Sequence, residues 1–200
     1  GSEMCIRDRY CSAQRLVDEN LRTINPTVSR KVYTPSFGNA LVQNICTGCT
    51  AVADKNLISL IRQYPIENTK DIVMHDWWLY LVASCFGKVF YDSKSYVEYR
   101  QHSKNTHGAI FNRKALMQYR FKQLFQPRGE IYKQAECFKE CYSEMLNKEK
   151  YLPNAQLLEK MILAKKNFKH KVLLASDKQI YRQKKMGDVI FRGIVLVGKL

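Results

Sequence analysis

Residues 74–108 read MHDWWLYLVASCFGKVFYDSKSYVEYRQHSKNTHG. From Ile72 to Phe86 the chain is almost uncharged, and Asp76 is the one formal charge in that run. A lone carboxylate in such company loses water unless something pairs with it, which is costly. Its neighbours His75, Trp77 and Trp78 are large, partly polar and suited to forming a pocket. Met74, Trp77, Trp78, Leu81, Val82 and Cys85 recur at helical spacing, and Gly87 is placed to end the helix. Residues 88–91 then predict a strand, Asp92-Ser93-Lys94 a turn, and residues 95–100 a second strand. A second polar cluster follows, Tyr99-Arg100-Gln101-His102 with Asn105 and Gly108. The pattern predicts an α/β fold in which the two clusters form one wall of an active site.

Upstream, Asp54 is a good N-cap for a helix over 55–64, with Leu57, Ile58, Leu60 and Ile61 facing inward and Pro65 after its end. Residues 46–52 are small and β-branched, which predicts a buried strand with a close backbone approach at Gly48. Residues 37–44 predict a short helix, and a polar connection occupies 25–36. Residues 11–24 are short and mixed, with a turn at Asp18-Glu19-Asn20. Downstream, helices are expected over 113–126, 130–147 and 154–174, separated by Pro127-Arg128-Gly129 and by Pro153. The tail 178–200 carries a basic stretch at 182–185 and an apolar one at 189–197. The chain thus divides near residue 110 into a mixed α/β part, 11–110, and a basic helical extension, 111–200. Residues 1–10 are expected to be a non-native leader. Gly1-Ser2 has the form of an expression scar, and the string after it resembles a translated sequencing adapter.

The 200 residues suit one domain or one domain with an appendage, and 46% apolar residues suffice for a core. The net charge of +15 is uneven: twelve Lys/Arg against ten Asp/Glu in residues 1–100, 21 against 8 thereafter. That excess favours nucleic acid, anionic lipid or phosphorylated substrates. Seven cysteines without a regular framework argue against a secreted disulfide scaffold. No apolar run approaches the ~20 residues that a membrane span needs.

The order Asn44-x-x-Thr47-Gly48-Cys49-Thr50, then Met74-His75-Asp76-Trp77-Trp78, then Tyr99-Arg100-Gln101-His102-x-x-Asn105-x-x-Gly108 resembles the C-terminal half of bacterial family-2 glycosyltransferases. It is most similar to the rhamnosyltransferase-like members that build surface polysaccharide, over residues 11–109. The resemblance implies a GT-A fold, a Rossmann-like mixed sheet that binds a nucleotide-sugar donor with a divalent metal, Mg or Mn. It implies transfer with inversion from that donor, dTDP-rhamnose for the whole enzyme, to a glycan or lipid-linked acceptor. No Asp-x-Asp occurs in the chain, so the nucleotide-binding half is expected to be missing and the chain to be inactive alone. Processive members carry Gln-x-x-Arg-Trp near here. This chain has Arg-Gln-His instead, which implies a single-addition enzyme. The implied location is cytoplasmic, peripheral on the inner face of the cell membrane.

The resemblance assigns Asp76 as the base that takes the acceptor proton; as a first-turn or N-cap carboxylate it would also complement the helix dipole, and the two roles are compatible. Arg100 and His102 would neutralise a departing pyrophosphate, with His102 as a candidate metal ligand. Alternatively they belong to a polar loop, with Arg100 paired to Glu98 or Asp92. His75, Gln101 and Asn105 complete the expected substrate contacts. Of Trp77 and Trp78, one is expected to pack and one to line the pocket. Asn44, Thr47 and Gly48 border either a sugar or a buried turn. Cys46-x-x-Cys49 lacks the second pair that a structural zinc site requires, and Cys137 and Cys141 fit packing. The basic half carries no zinc-finger, RNP-like or helix-turn-helix signature, so no specific nucleic acid is expected. Its stretch 182–197 fits an anchor on anionic membrane, or a tail packed on the body. The rival to the enzyme is therefore a basic, non-enzymatic module for membrane or nucleic acid.

Overall fold

The computed structural model describes residues 9–24, 33–100 and 129–200. Among these residues the fold is mixed α/β, with three strands in one sheet and eight α-helices. The expected helix over 113–126 lies outside them, as do Gln101, His102 and Asn105.

Strand β1 (Arg9–Val17) is central, with β2 (Ala51–Ala53) antiparallel on one side and β3 (Val89–Arg100) parallel on the other. A parallel pair needs a long crossover. Here that crossover contains α1 (Phe37–Ala40), α2 (Lys55–Gln63) and α3 (His75–Phe86). Cys11, Ala13, Leu16 and Val17 are buried on β1, while Tyr10 faces out in a cross-strand row with Val52 and Phe90. Arg9 and Tyr10, expected to belong to a leader, are the first two residues of this strand.

Two strand expectations change. Residues 88–100 do not make two strands around a turn. They make one strand, whose register against β1 shifts between Asp92 and Ser95 and again between Ser95 and Val97. Asp92 does use turn chemistry, since its carboxylate accepts the Lys94 amide at 2.8 Å. The other carboxylate oxygen accepts the Tyr10 and Tyr96 hydroxyls at 3.0 and 3.2 Å. The turn is therefore absorbed as a bulge and the chain continues in the same direction. Residues 46–52 are not a buried strand. Gly48–Thr50 form a 3₁₀ turn, and β2 is a short edge strand with Val52 exposed.

The helices of the first half start on local signals, although α1 ends at Ala40, short of the expected 44. Ser36 caps α1 through the Asn39 amide, and Asp54 caps α2 by accepting the Leu57 amide at 2.7 Å. Gly87 is the C-cap of α3. The later helices are shorter than their periodicity predicts. The run from 130 to 147 divides at buried Tyr142 into α4 (Gly129–Cys141) and α5 (Ser143–Leu146). The run from 154 to 174 divides into α6 (Leu152–Leu163), with Pro153 in its first turn, and α7 (Phe168–Ser176). The break falls where the Asn167 side chain accepts the His170 amide and starts a new helix. The tail forms α8 (Lys185–Leu196).

One hydrophobic cluster joins the two halves of the chain. Phe138 of α4 is its hub, with ring centroids 5.5 Å from Trp78, 5.9 Å from Phe86, 5.7 Å from Phe37 and 5.0 Å from Tyr142. Phe86 also meets Tyr151 edge-on at 5.0 Å. Such pairs add to the stabilisation from burial alone. The packing fixes α3 between the sheet and the C-terminal helices, which holds the first turn of α3 in place. Among the described residues, no helix is long and apolar enough to cross a membrane.

Candidate active site

Asp76 is the second residue of α3, where its charge complements the helix dipole. Met74, not Asp76, is the N-cap, and it makes no side-chain cap bond. Asp76 is only 8% exposed. Its two oxygens have different surroundings. Oδ2 accepts the Gly48 amide at 3.0 Å. Oδ1 is buried and has no hydrogen-bond partner among the described residues. A buried charged acceptor left unsatisfied costs on the order of 1–3 kcal/mol or more, so the fold tolerates an unmet need at this atom.

The close approach at Gly48 is real, and its partners are the residues singled out in sequence. A Cβ at Gly48 would stand 3.2 Å from His75 Nε2, 3.4 Å from Asp76 Cβ and 3.7 Å from Asp76 Oδ2. Glycine here lets the backbone N–H reach the carboxylate while the exposed His75 ring sits alongside. The Thr47 carbonyl accepts both the amide and the hydroxyl of Thr50, which shapes the turn that aims the Gly48 N–H. Asn44 is used locally, its side-chain oxygen accepting the Cys46 amide at 3.0 Å. Asp76, His75, Gly48 and Thr47 therefore come together, and Asn44 supports the loop that carries two of them.

Both tryptophans are buried. Trp78 is 2% exposed and packs on Phe138; Trp77 is 8% exposed and donates its indole N–H to the Ala40 carbonyl at 2.6 Å. Each tryptophan is thus placed in the core by its packing. α3 is enclosed on both sides, and the Trp77 N–H, its polar handle, is already engaged. Arg100 is exposed at the end of β3, paired in register with Val17. The contact of Cys49 with Gln14, at 3.9 Å, lies three residues back along β1 from Val17. Glu98 is engaged by Arg15 at 3.1 Å.

Arg9 was not foreseen. It is 1% exposed and donates Nη1 to the Asp76 carbonyl at 2.7 Å and Nη2 to the Cys46 carbonyl at 3.2 Å. This buried cation ties the start of α3 to the Asn44–Gly48 loop from below. Arginine at a strand start carries no sequence signal for such a role. Cys46 is also buried, its Sγ 2.6 Å from that of Cys11, while Cys49 is exposed beside Gln14. Burial, then the neighbouring Cys11, pushes the Cys46 thiol up. Cys11 is held down by the hydrogen bond with Cys46, against its own burial. The two halves of the Cys46-x-x-Cys49 pair thus point into different surroundings. Among the described residues no three His, Cys, Asp or Glu side chains converge to hold a metal ion.

Cavities lined by described residues lie elsewhere. One of about 440 Å³ lies between α4, α5 and α6, lined by Lys139, Leu146, Leu152 and Glu159 among others. The second, of about 280 Å³, is lined by Ser36, Ser84, Lys88 and Phe90. Neither is lined by Asp76.

No family model matches this chain, and no solved structure matches it. A dTDP-rhamnosyl transferase, RfbG of Shigella flexneri, is 34% identical over 90 residues, covering 43% of this chain and 30% of that protein. The chain matches less than a third of that relative's length. The likeness is to a glycosyltransferase, and it is partial and distant.

Proposed function

We propose that these residues are the acceptor-side part of an inverting glycosyltransferase of the GT-A type, family 2, with Asp76 as its base. The observation that carries this reading is the seating of Asp76 in the first turn of α3, against the Gly48 turn and beside exposed His75. One oxygen is fixed by the Gly48 amide, and the other is buried without a partner among the described residues. The partial likeness to a dTDP-rhamnosyl transferase supports the reaction class. In the proposed step an acceptor hydroxyl approaches Oδ1. Its oxygen bonds to the anomeric carbon of the donor while the proton passes to Oδ1 and the nucleoside diphosphate leaves with the electron pair of the broken C–O bond. The Gly48 N–H keeps the carboxylate from rotating; Oδ1 is buried in this structure, so the proposed step requires the acceptor to displace the atoms that cover it. His75, exposed beside Gly48, is proposed to hydrogen-bond the acceptor.

The proposed donor is a nucleotide-linked rhamnose, and the proposed acceptor is a glycan or a lipid-linked saccharide in surface polysaccharide synthesis. The reaction is placed in the cytoplasm at the inner face of the membrane, where a lipid-linked acceptor would be met. The described residues do not by themselves make a place for the Mg or Mn that the family resemblance implies.

The test is acceptor-dependent release of dTDP from dTDP-rhamnose, measured on the longest natural chain that contains these residues, with the linkage of the product determined. The proposal expects release only when a saccharide acceptor is present, and an inverted linkage. Release that ignores the acceptor, or a retained linkage, would overturn it.

A further inference from the structure

Among the described residues thirteen large apolar side chains are exposed, and seven of them fall on α7, α8 and the C-cap of α8. On α7 they are Phe168, Val172 and Leu173; on α8 and its cap they are Met186, Val189, Leu196 and Val197. At 100° per residue each set occupies one side of its helix. The opposite side of α8, carrying Phe191, Ile194 and Val195, is buried. α8 is thus apolar toward the core and apolar toward water, which an ordinary surface helix is not. The two helices run antiparallel, since Lys171 near the start of α7 lies against Gly198 past the end of α8, and Arg192 donates to the Ala175 carbonyl. The two helices pack against each other, and each presents exposed apolar side chains to solvent.

Charge selects the partner. Residues 165–199 carry ten Lys/Arg and two Asp. Both acids are engaged inside the fold, Asp177 with Lys160 and Asp188 with Arg192. Lys166, Lys169, Lys178 and Lys185 are exposed around the apolar stripes. Apolar side chains framed by lysines match the headgroup boundary of an anionic bilayer, and helices of 9 and 12 residues lie in that boundary without crossing it. We propose that α7 and α8 form a docking face for anionic phospholipid, with the exposed apolar side chains entering the acyl boundary and the lysines meeting lipid phosphates. The anchor expected at 182–197 from sequence is thereby moved, because half of that stretch's apolar residues turn inward. These residues are separate from Asp76, and lipid binding is read independently of sugar transfer.

The test is co-sedimentation of the full chain with vesicles of phosphatidylcholine alone and of phosphatidylcholine with phosphatidylglycerol. The proposal expects at least about ten-fold stronger partitioning onto the anionic vesicles, weakened by salt. The double variant Phe168→Asp with Val189→Asp should lose about ten-fold or more, and Lys169→Gln with Lys185→Gln should lose several-fold. Both pairs are exposed, so melting curves should match the parent chain. Equal partitioning onto neutral vesicles, no partitioning at all, or a Phe168/Val189 variant that still binds would overturn it. Pelleting without vesicles that these substitutions abolish would assign the face to a second copy of the chain and also overturn it. Duplex DNA that displaces the chain from vesicles while the apolar variant still binds would do the same.

Discussion

Gly38→Ala tests how the C-terminal segment is seated on the α/β part. Gly38 lies in α1, and a Cβ there would stand 2.0 Å from the carbonyl oxygen of Gln179 and 2.8 Å from its carbonyl carbon. These are backbone atoms, so the methyl enters only if the segment moves by roughly 1 Å or more to reach an ordinary contact distance. That segment is held from several sides. Asn39 Nδ2 donates to the Tyr181 carbonyl at 2.9 Å, the Gln183 amide donates to Gln43 at 2.9 Å, and Gln183 Nε2 donates to the Thr34 carbonyl at 2.7 Å. Ile180 is fully buried between these bonds. Overpacking costs about 1–3 kcal/mol, and each loosened hydrogen bond about 0.5–1.5 kcal/mol. The gain in helix preference of alanine over glycine offsets about 1 kcal/mol. A net loss of about 2–3 kcal/mol follows, which lowers Tm by roughly 4–12 °C for a chain of this size. Circular dichroism during heating and urea unfolding measures it. Gly193→Ala is the control: nothing lies within 4 Å of its Cβ position, in the middle of α8, so that variant should be slightly more stable than the parent. If Gly38→Ala melts at or above the parent, residues 177–183 do not lie on α1.

Other expected outcomes concern the core, the thiols and acid. Phe138→Ala should cost about 3–5 kcal/mol in urea unfolding, because its ring fills the space between Phe37, Trp78, Phe86 and Tyr142; a loss under about 1 kcal/mol would separate the C-terminal helices from the α/β core. In a Cys5→Ser background a thiol reagent should label Cys49 first, with buried Cys11, Cys46 and Cys85 reacting only on unfolding. Labelling of Cys46 at the rate of Cys49 would contradict the buried pair. Burial of Asp177 favours its protonated form, but Lys160 and the amides of Gln179 and Ile180 outweigh it and hold the carboxyl below its ordinary 3.8. A carboxyl depressed in the folded state contributes stability that is full above the ordinary value and lost as pH falls through the lower folded value. Asp177→Asn should therefore be less stable than the parent at neutral pH, with the gap closing below about pH 4; a gap that persists to low pH would contradict the pairing.

Helix starts and stops in the first half were legible because the residues that make them act locally. Asp54 and Gly87 start and end a helix within three or four residues, and both are legible in sequence; Ser36 uses the same chemistry at the end of what reads as a polar connection. What depends on distant partners was not. Asp92 carries a turn signature, yet Tyr10 and Tyr96 share its carboxylate and turn the feature into a bulge within one strand. Residues 46–52 are β-prone, but β2 pairs on one side only, so it stays short and partly exposed. Tyr142 breaks a continuous helical pattern to enter the aromatic cluster around Phe138. At the site, Asp76 stood out as the lone charge in an apolar run, and Gly48 as a close approach. That one donates its amide to the other could not be read, because every non-proline residue carries an N–H. The same holds for Trp77, whose partner is a carbonyl from α1, and for Arg9, whose partners are two carbonyls.

The substitution Asp76→Asn bears most directly on the mechanism. Asparagine keeps an oxygen that can accept the Gly48 amide and puts an NH₂ where Oδ1 stands, so the fold is retained while the proton acceptor is removed. Under the proposed function, kcat for sugar transfer by the longest natural chain that contains these residues should fall by about 10²–10⁴, with little change in KM for the donor and an unchanged melting curve. An Asn variant that transfers sugar within a few-fold of the parent would remove Asp76 from the chemistry and leave it as the anchor of the Gly48 turn.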